Sequence, residues 1–122
     1  MIEALWTVEY SAGDELHPVK MDGSMWPQGY GILVFETGRV FGGDLSNTYI
    51  GSYEVASGVV SGVVRVKQFN SLPIPNIFGD LHDFDIEFTG NLTDKEIRFT
   101  GHVVGTPSLK LVALATKRAD LP

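Results

Sequence analysis

From His82 to Thr89 polar and apolar side chains alternate at every position: Phe84, Ile86 and Phe88 fall on one side, Asp83, Asp85, Glu87 and Thr89 on the other. A period of two marks an extended strand with one face packed and one face wet; wound on a helix, the same residues would put Ile86 on the face opposite Phe84 and Phe88. The next segment repeats the pattern. Ile97, Phe99 and Val103 oppose Glu96, Arg98, Thr100 and His102, and Asn91-Leu92-Thr93-Asp94-Lys95 supplies the turn of a hairpin. Earlier segments follow suit: Trp6, Val8 and Tyr10 alternate with Thr7 and Glu9, and Tyr49, Gly51, Tyr53 and Val55 with Ile50, Ser52 and Glu54, while Val60, Val64 and Val66 share a face.

Fourteen glycines and six prolines divide the chain into such short pieces, and no stretch of ten residues carries a helical stripe. Thr37-Gly38 and Ser57-Gly58 mark tight turns. The pattern predicts eight strands, at roughly 4–10, 29–36, 38–42, 48–56, 59–68, 82–90, 95–104 and 108–118. Eight short antiparallel strands can close on themselves and so remove exposed edges. The predicted fold is therefore all-β, a single domain over residues 1–122: an eight-stranded antiparallel β-barrel with at most one short helical turn. A two-sheet sandwich satisfies the same alternation. With eight strands, a barrel interior either fills with side chains or holds one small ligand.

Three segments depart from simple alternation. Residues 11–28 read as a long loop, with Trp26 beside Pro27. Residues 70–80 contain Pro73 and Pro75, which cannot both donate to a ladder, so they form a crossing loop or a single helical turn. In the last segment Leu109, Leu111, Ala113 and Ala115 share a face, but Val112 and Leu114 lie on the other. Apolar residues on both faces predict a strand covered twice, with Val112 and Leu114 in a homodimer interface.

At 122 residues, 43 % of them hydrophobic, the chain has enough apolar surface for one core. Its formal charge of −6 repels phosphates, which argues against direct nucleic-acid binding and against docking on an anionic membrane. There is no cysteine, which excludes disulfides, thiolate nucleophiles and thiolate metal sites. The start, Met1 to Trp6, lacks the basic-then-apolar pattern of a signal peptide, and no apolar run nears the ~20 residues of a membrane span. A cytoplasmic location is the resulting expectation.

Searching for chemistry returns little. His17, His82 and His102 have no second ligand at a metal-binding spacing, and Asp22-Gly23-Ser24 lacks the other ligands of a calcium loop. The set Asp80, His82, Asp83, Asp85 and Glu87 reads as the wet face of a strand. No serine sits in a Gly-x-Ser-x-Gly arrangement. Gly38, Gly42 and Gly43 lack the following helix of a phosphate cradle and are expected as turn residues with positive φ. With no nucleophile–base pair and no metal set, the expectation is a non-enzymatic protein without metal or cofactor. Trp6, Tyr49, Tyr53, Phe84 and Phe88 lie on inward faces. They either build the core or line an apolar cavity in which tyrosine hydroxyls orient a small apolar ligand. Trp26 folds over the barrel mouth as a lid or packs in an interface.

Three segments carry a family resemblance: Leu5-Trp6-Thr7-Val8-Glu9-Tyr10, Gly38-Arg39-Val40-Phe41-Gly42-Gly43-Asp44 and Tyr49-Ile50-Gly51-Ser52-Tyr53. With the ending Thr116 to Pro122, they resemble the GrlR family of negative regulators of type III secretion, over nearly the whole chain. The most specific element is Gly42-Gly43-Asp44 followed by the Tyr-x-Gly-x-Tyr of 49–53. The resemblance implies a lipocalin-like barrel that forms homodimers and represses by binding a transcriptional activator rather than DNA. The family's acidic surface loop would fall on Glu54-Val55-Ala56-Ser57-Gly58, which here holds one acid. Two functions stand side by side: a regulator working through protein contact, and a barrel binding a small apolar molecule.

Overall fold

The computed structural model describes residues 2–16, 28–71, 77–79 and 81–122. They form eight strands: β1 (Ala4–Ala12), β2 (Gln28–Glu36), β3 (Arg39–Gly43), β4 (Asn47–Ala56), β5 (Val59–Gln68), β6 (Asp83–Leu92), β7 (Glu96–Val103) and β8 (Thr106–Asp120). Each strand pairs antiparallel with the next and β8 returns to β1, closing the barrel. Closure satisfies the backbone groups that the outer strands of a sandwich would leave open. No helix occurs among the described residues. Pro73, Pro75, Trp26, His17 and Asp80 lie outside them.

The alternation read from the sequence becomes the inside and outside of the wall. Trp6, Val8, Phe35, Val40, Tyr49, Tyr53, Val60, Val66, Ile86, Ile97 and Phe99 are buried in one interior cluster. The acidic face of β6 points outward, where Arg65 pairs with Asp83 at 3.7 Å and Asp85 at 3.0 Å. So many inward rings fit a barrel of this size because they face glycines across the ladder: Gly42 opposes Tyr49, Gly62 opposes Phe88 and Tyr53, and Gly90 opposes Phe99.

Thr37-Gly38 and Ser57-Gly58 are two-residue hairpin loops with positive φ at both positions, 49° and 76° in the first, 52° and 78° in the second. This is the type I′ geometry whose twist matches paired strands. Gly42 and Gly43 differ from expectation: they are extended β3 residues and not left-handed turn residues. What excludes a side chain there is space. A Cβ on Gly43 would lie 2.7 Å from the Asn47 carbonyl oxygen, because the β3–β4 turn folds tightly over it.

The two ends of the barrel are built differently. At one, here the turn end, the short β2–β3, β4–β5 and β6–β7 connections converge and aromatic rings fill the interior. Phe35 is the hub, edge-on to Trp6 (6.3 Å between centroids) and Tyr53 (5.1 Å) and stacked on Phe99 (6.3 Å), which in turn meets Phe88 (5.3 Å). Trp6 is completely buried and its indole N–H donates to the Ile2 carbonyl at 2.9 Å. At the other, the loop end, the long β1–β2 and β5–β6 connections join the strands, and here the interior is not filled.

Candidate functional site

A cavity of about 110 Å³ occupies the loop end. Its walls are hydrocarbon from seven strands, including Val8, Leu33, Val64, Val66, Ile86 and Leu111, with Phe84, Phe88 and Phe99 toward its sides and floor. Ile77 and Phe78, from the β5–β6 connection, complete the lining. Phe78 is held edge-on to Phe84 at 5.8 Å.

One polar cluster breaks this apolar surface. Tyr10 on β1, Tyr49 on β4, and Asp44 and Asn47 of the β3–β4 turn all line the cavity. Asp44 shapes its own turn: its Oδ1 accepts from the backbone N–H of Ser46 (3.0 Å), the backbone N–H of Asn47 (2.8 Å) and the Asn47 amide Nδ2 (3.1 Å). An aspartate that caps the backbone following it is a common turn device. Its other oxygen reaches into the barrel. Oδ2 accepts from the Tyr10 hydroxyl at 2.7 Å and from the Tyr49 hydroxyl, and the two phenol oxygens lie 3.2 Å apart.

Strand β2 makes this convergence possible. It lies between β1 and β3, and its inward positions along this stretch are Gly29 and Gly31. A Cβ on Gly29 would sit 2.6 Å from the Tyr10 hydroxyl oxygen, and one on Gly31 would sit 3.0 Å from Tyr49 Cε2. The two glycines leave the gap across which the tyrosines meet the carboxylate.

The charge state follows from the same contacts. Burial pushes the Asp44 carboxyl up, but the hydrogen bonds from Tyr49, Tyr10, Ser46 and Asn47 together outweigh it and hold the group below its ordinary range. Asp44 is thus ionised at neutral pH. Burial raises both phenols above their ordinary range, reinforced at Tyr49 by neighbouring Tyr10 and the bond to Asp44, and at Tyr10 by Asp44 against a lowering contribution from Tyr49. Both therefore keep their protons. Among the described residues no three His, Asp or Glu side chains converge as a metal would require.

The structure brings together part of the set singled out in the sequence. Tyr49, Phe84 and Phe88 line the cavity; Trp6 and Tyr53 are buried at the turn end, away from it; Trp26 lies outside the described residues. Val112 and Leu114 are half-buried on the outer face of β8. Gly42, Gly43 and Asp44, noted for family resemblance, prove to be the β3–β4 corner on which the polar cluster rests. Tyr10 and Asn47 were not singled out as site residues. The signal for Tyr10 was its inward phase with Trp6 and Val8, but nothing in the sequence shows that a turn aspartate would meet it across the barrel.

Fold and cavity together define a closed eight-stranded barrel with one filled end and one hollow end. Compared with protein-family models and with curated proteins, the chain matches none.

Proposed function

We propose that the protein is a binding barrel whose loop end takes up one small, largely apolar molecule. The carrying observation is the contrast between the ends: aromatic rings fill one, while the other keeps a void of about 110 Å³ with hydrocarbon walls and a single polar corner. An engineered cavity of roughly 150 Å³ with similar walls holds benzene, so this one suits a single ring or a short chain. Native mass spectrometry of freshly purified protein, compared with its denatured mass, tests the reading. A stoichiometric adduct lost on denaturation supports it. A bare protein whose melting temperature no apolar small molecule shifts would count against it.

The second reading is a lipocalin-like homodimeric regulator of the GrlR type, acting in the cytoplasm on a transcriptional activator. It is supported by the sequence resemblance and by the outer wall. The register sets Leu5, Val34, Phe41 and Ile50 side by side across β1 to β4, with Tyr30 and Ile32 beside them on β2. Ile50 is 58 % exposed, Tyr30 57 % and Ile32 49 %, which makes an apolar patch of the kind that marks interaction surfaces. Crosslinking and co-purification from the native host should then recover a transcriptional activator. Recovery of the protein with no such regulator would sink this reading.

A further inference from the structure

The chemistry of the polar corner restricts what the cavity can hold. Asp44 offers only acceptors, and five donor contacts converge on it: two phenol hydroxyls, two backbone N–H groups and the Asn47 amide. The Tyr10 hydroxyl gives its proton to Asp44 and the Tyr49 hydroxyl gives its proton to Asp44 or the Tyr10 oxygen, so neither phenol keeps a proton for a guest and what they offer the remaining space is oxygen lone pairs. The walls add hydrocarbon, and among the described residues no Lys, Arg or His lines the cavity. The side-chain donor left over is the second Nδ2 proton of Asn47. It stands beside a full negative charge, so a guest anion bonded there would still face Asp44 across a low-dielectric space.

We propose that the molecule held in this cavity ends in a hydrogen-bond donor, a hydroxyl or an amine, that docks on the oxygens of Tyr10 and Tyr49, and that carboxylates such as fatty acids are excluded. The proposal rests on the reading of the cavity as a ligand site and adds the direction of its polar recognition. A donor group completes the lone pairs that Asp44 leaves exposed, and an ammonium is further attracted by the carboxylate behind them. A carboxylate guest would lose its water, meet two phenol oxygens with no proton to give, and lie close to a like charge.

Four single-ring probes separate these possibilities: benzene, phenol, benzylamine (cationic at pH 7) and benzoate, each titrated into the full chain and followed by NMR at the methyl groups of Val8, Val64 and Ile86. Phenol and benzylamine should bind at least about tenfold more tightly than benzoate, the factor expected for one charge-assisted hydrogen bond. Tyr10→Phe should weaken phenol roughly 2- to 10-fold and leave benzene unchanged. Benzoate or benzene binding as tightly as phenol would overturn the donor rule while leaving the cavity a binding site. Silence of the cavity methyls toward all four would remove the cavity reading itself, and the donor rule with it. If Tyr10→Phe does not fold, the ranking of the four probes on the unaltered protein still decides.

Discussion

Asp44 serves structure and recognition with the same two oxygens, one organising the β3–β4 turn and the other holding the tyrosines. Its carboxyl is lowered in the folded protein, so between the unfolded value near 4 and the lower folded value the unfolded chain binds more protons. Its contribution is therefore complete above about pH 4 and is lost as pH falls through the folded value. The tyrosines act at the other limb: raised in the fold, they contribute fully below about pH 10 and lose that contribution as pH climbs further. Asp85 and Asp120 are also held down, by Arg65 and Lys117, but these exposed pairs contribute little. We expect Asp44→Asn to lose roughly 2 kcal/mol at pH 7, where charged hydrogen bonds are broken, and to flatten the acid limb of stability. Urea unfolding from pH 2 to 7 checks both. A variant with an unchanged acid slope would mean that the cluster is not what titrates.

Along the strands and turns, some positions demand a left-handed backbone and others demand empty space. Thr37 sits at φ 49°, a left-handed conformation that crowds a β-branched side chain, while its backbone N–H donates to Glu3 Oε2 at 3.0 Å. Thr37→Asn keeps that backbone bond and suits the turn type, so it should stabilise by about 1 kcal/mol and raise the melting temperature by roughly 3–5 °C. Gly62 poses the opposite case: a Cβ there would fall 2.0 Å from the Ser52 carbonyl oxygen and 2.9 Å from Phe88 Cζ. Gly62→Ala should cost about 2–3 kcal/mol by prying β4 from β5, measurable as a lower urea midpoint. A glycine kept for its backbone, such as Gly38 at φ 76°, and one kept for space, such as Gly62, look alike in a sequence. Strand number and inward phase were legible because alternation is local; the tight turns were legible because Thr-Gly and Ser-Gly are local too. The reason for Gly29 and Gly31 was not, since the tyrosines that need their space stand on other strands. The Asp44 cluster was hidden for the same reason, joining residues 34 positions apart through a closure that no local pattern encodes.

Taken whole, the molecule has an interior with one hollow end and an exterior with an apolar wall across β1 to β4, and any pairing of two copies is expected to use that wall. Val112 and Leu114 were singled out because β8 is apolar on both faces, yet both are only half-exposed. Leu114 instead forms one side of a shallow surface groove that continues through Glu9, Tyr30, Ile32 and Leu45. The apolar surface available to a second copy is thus centred on β1 and β2, with β8 at one margin and Phe41 and Ile50 at the other. A two-fold pairing there would set the same residues against themselves, as isologous dimers do. Burying one aliphatic side chain is worth about 1.5–3 kcal/mol, so one aspartate per protomer at the centre, present twice in the interface, should break the dimer. We expect a dimer by sedimentation, converted to monomer by Ile32→Asp and weakened by Leu114→Asp. Val104→Asp, at an exposed apolar position in the β7–β8 turn beside Asp85 of β6, serves as the control and should leave the assembly intact. Dissociation by all three would show a general loss of stability, and a dimer that survives Ile32→Asp would place the interface elsewhere. A monomer from the outset would remove the assembly on which the regulator reading depends, and the cavity would remain as the feature of this barrel that calls for a ligand.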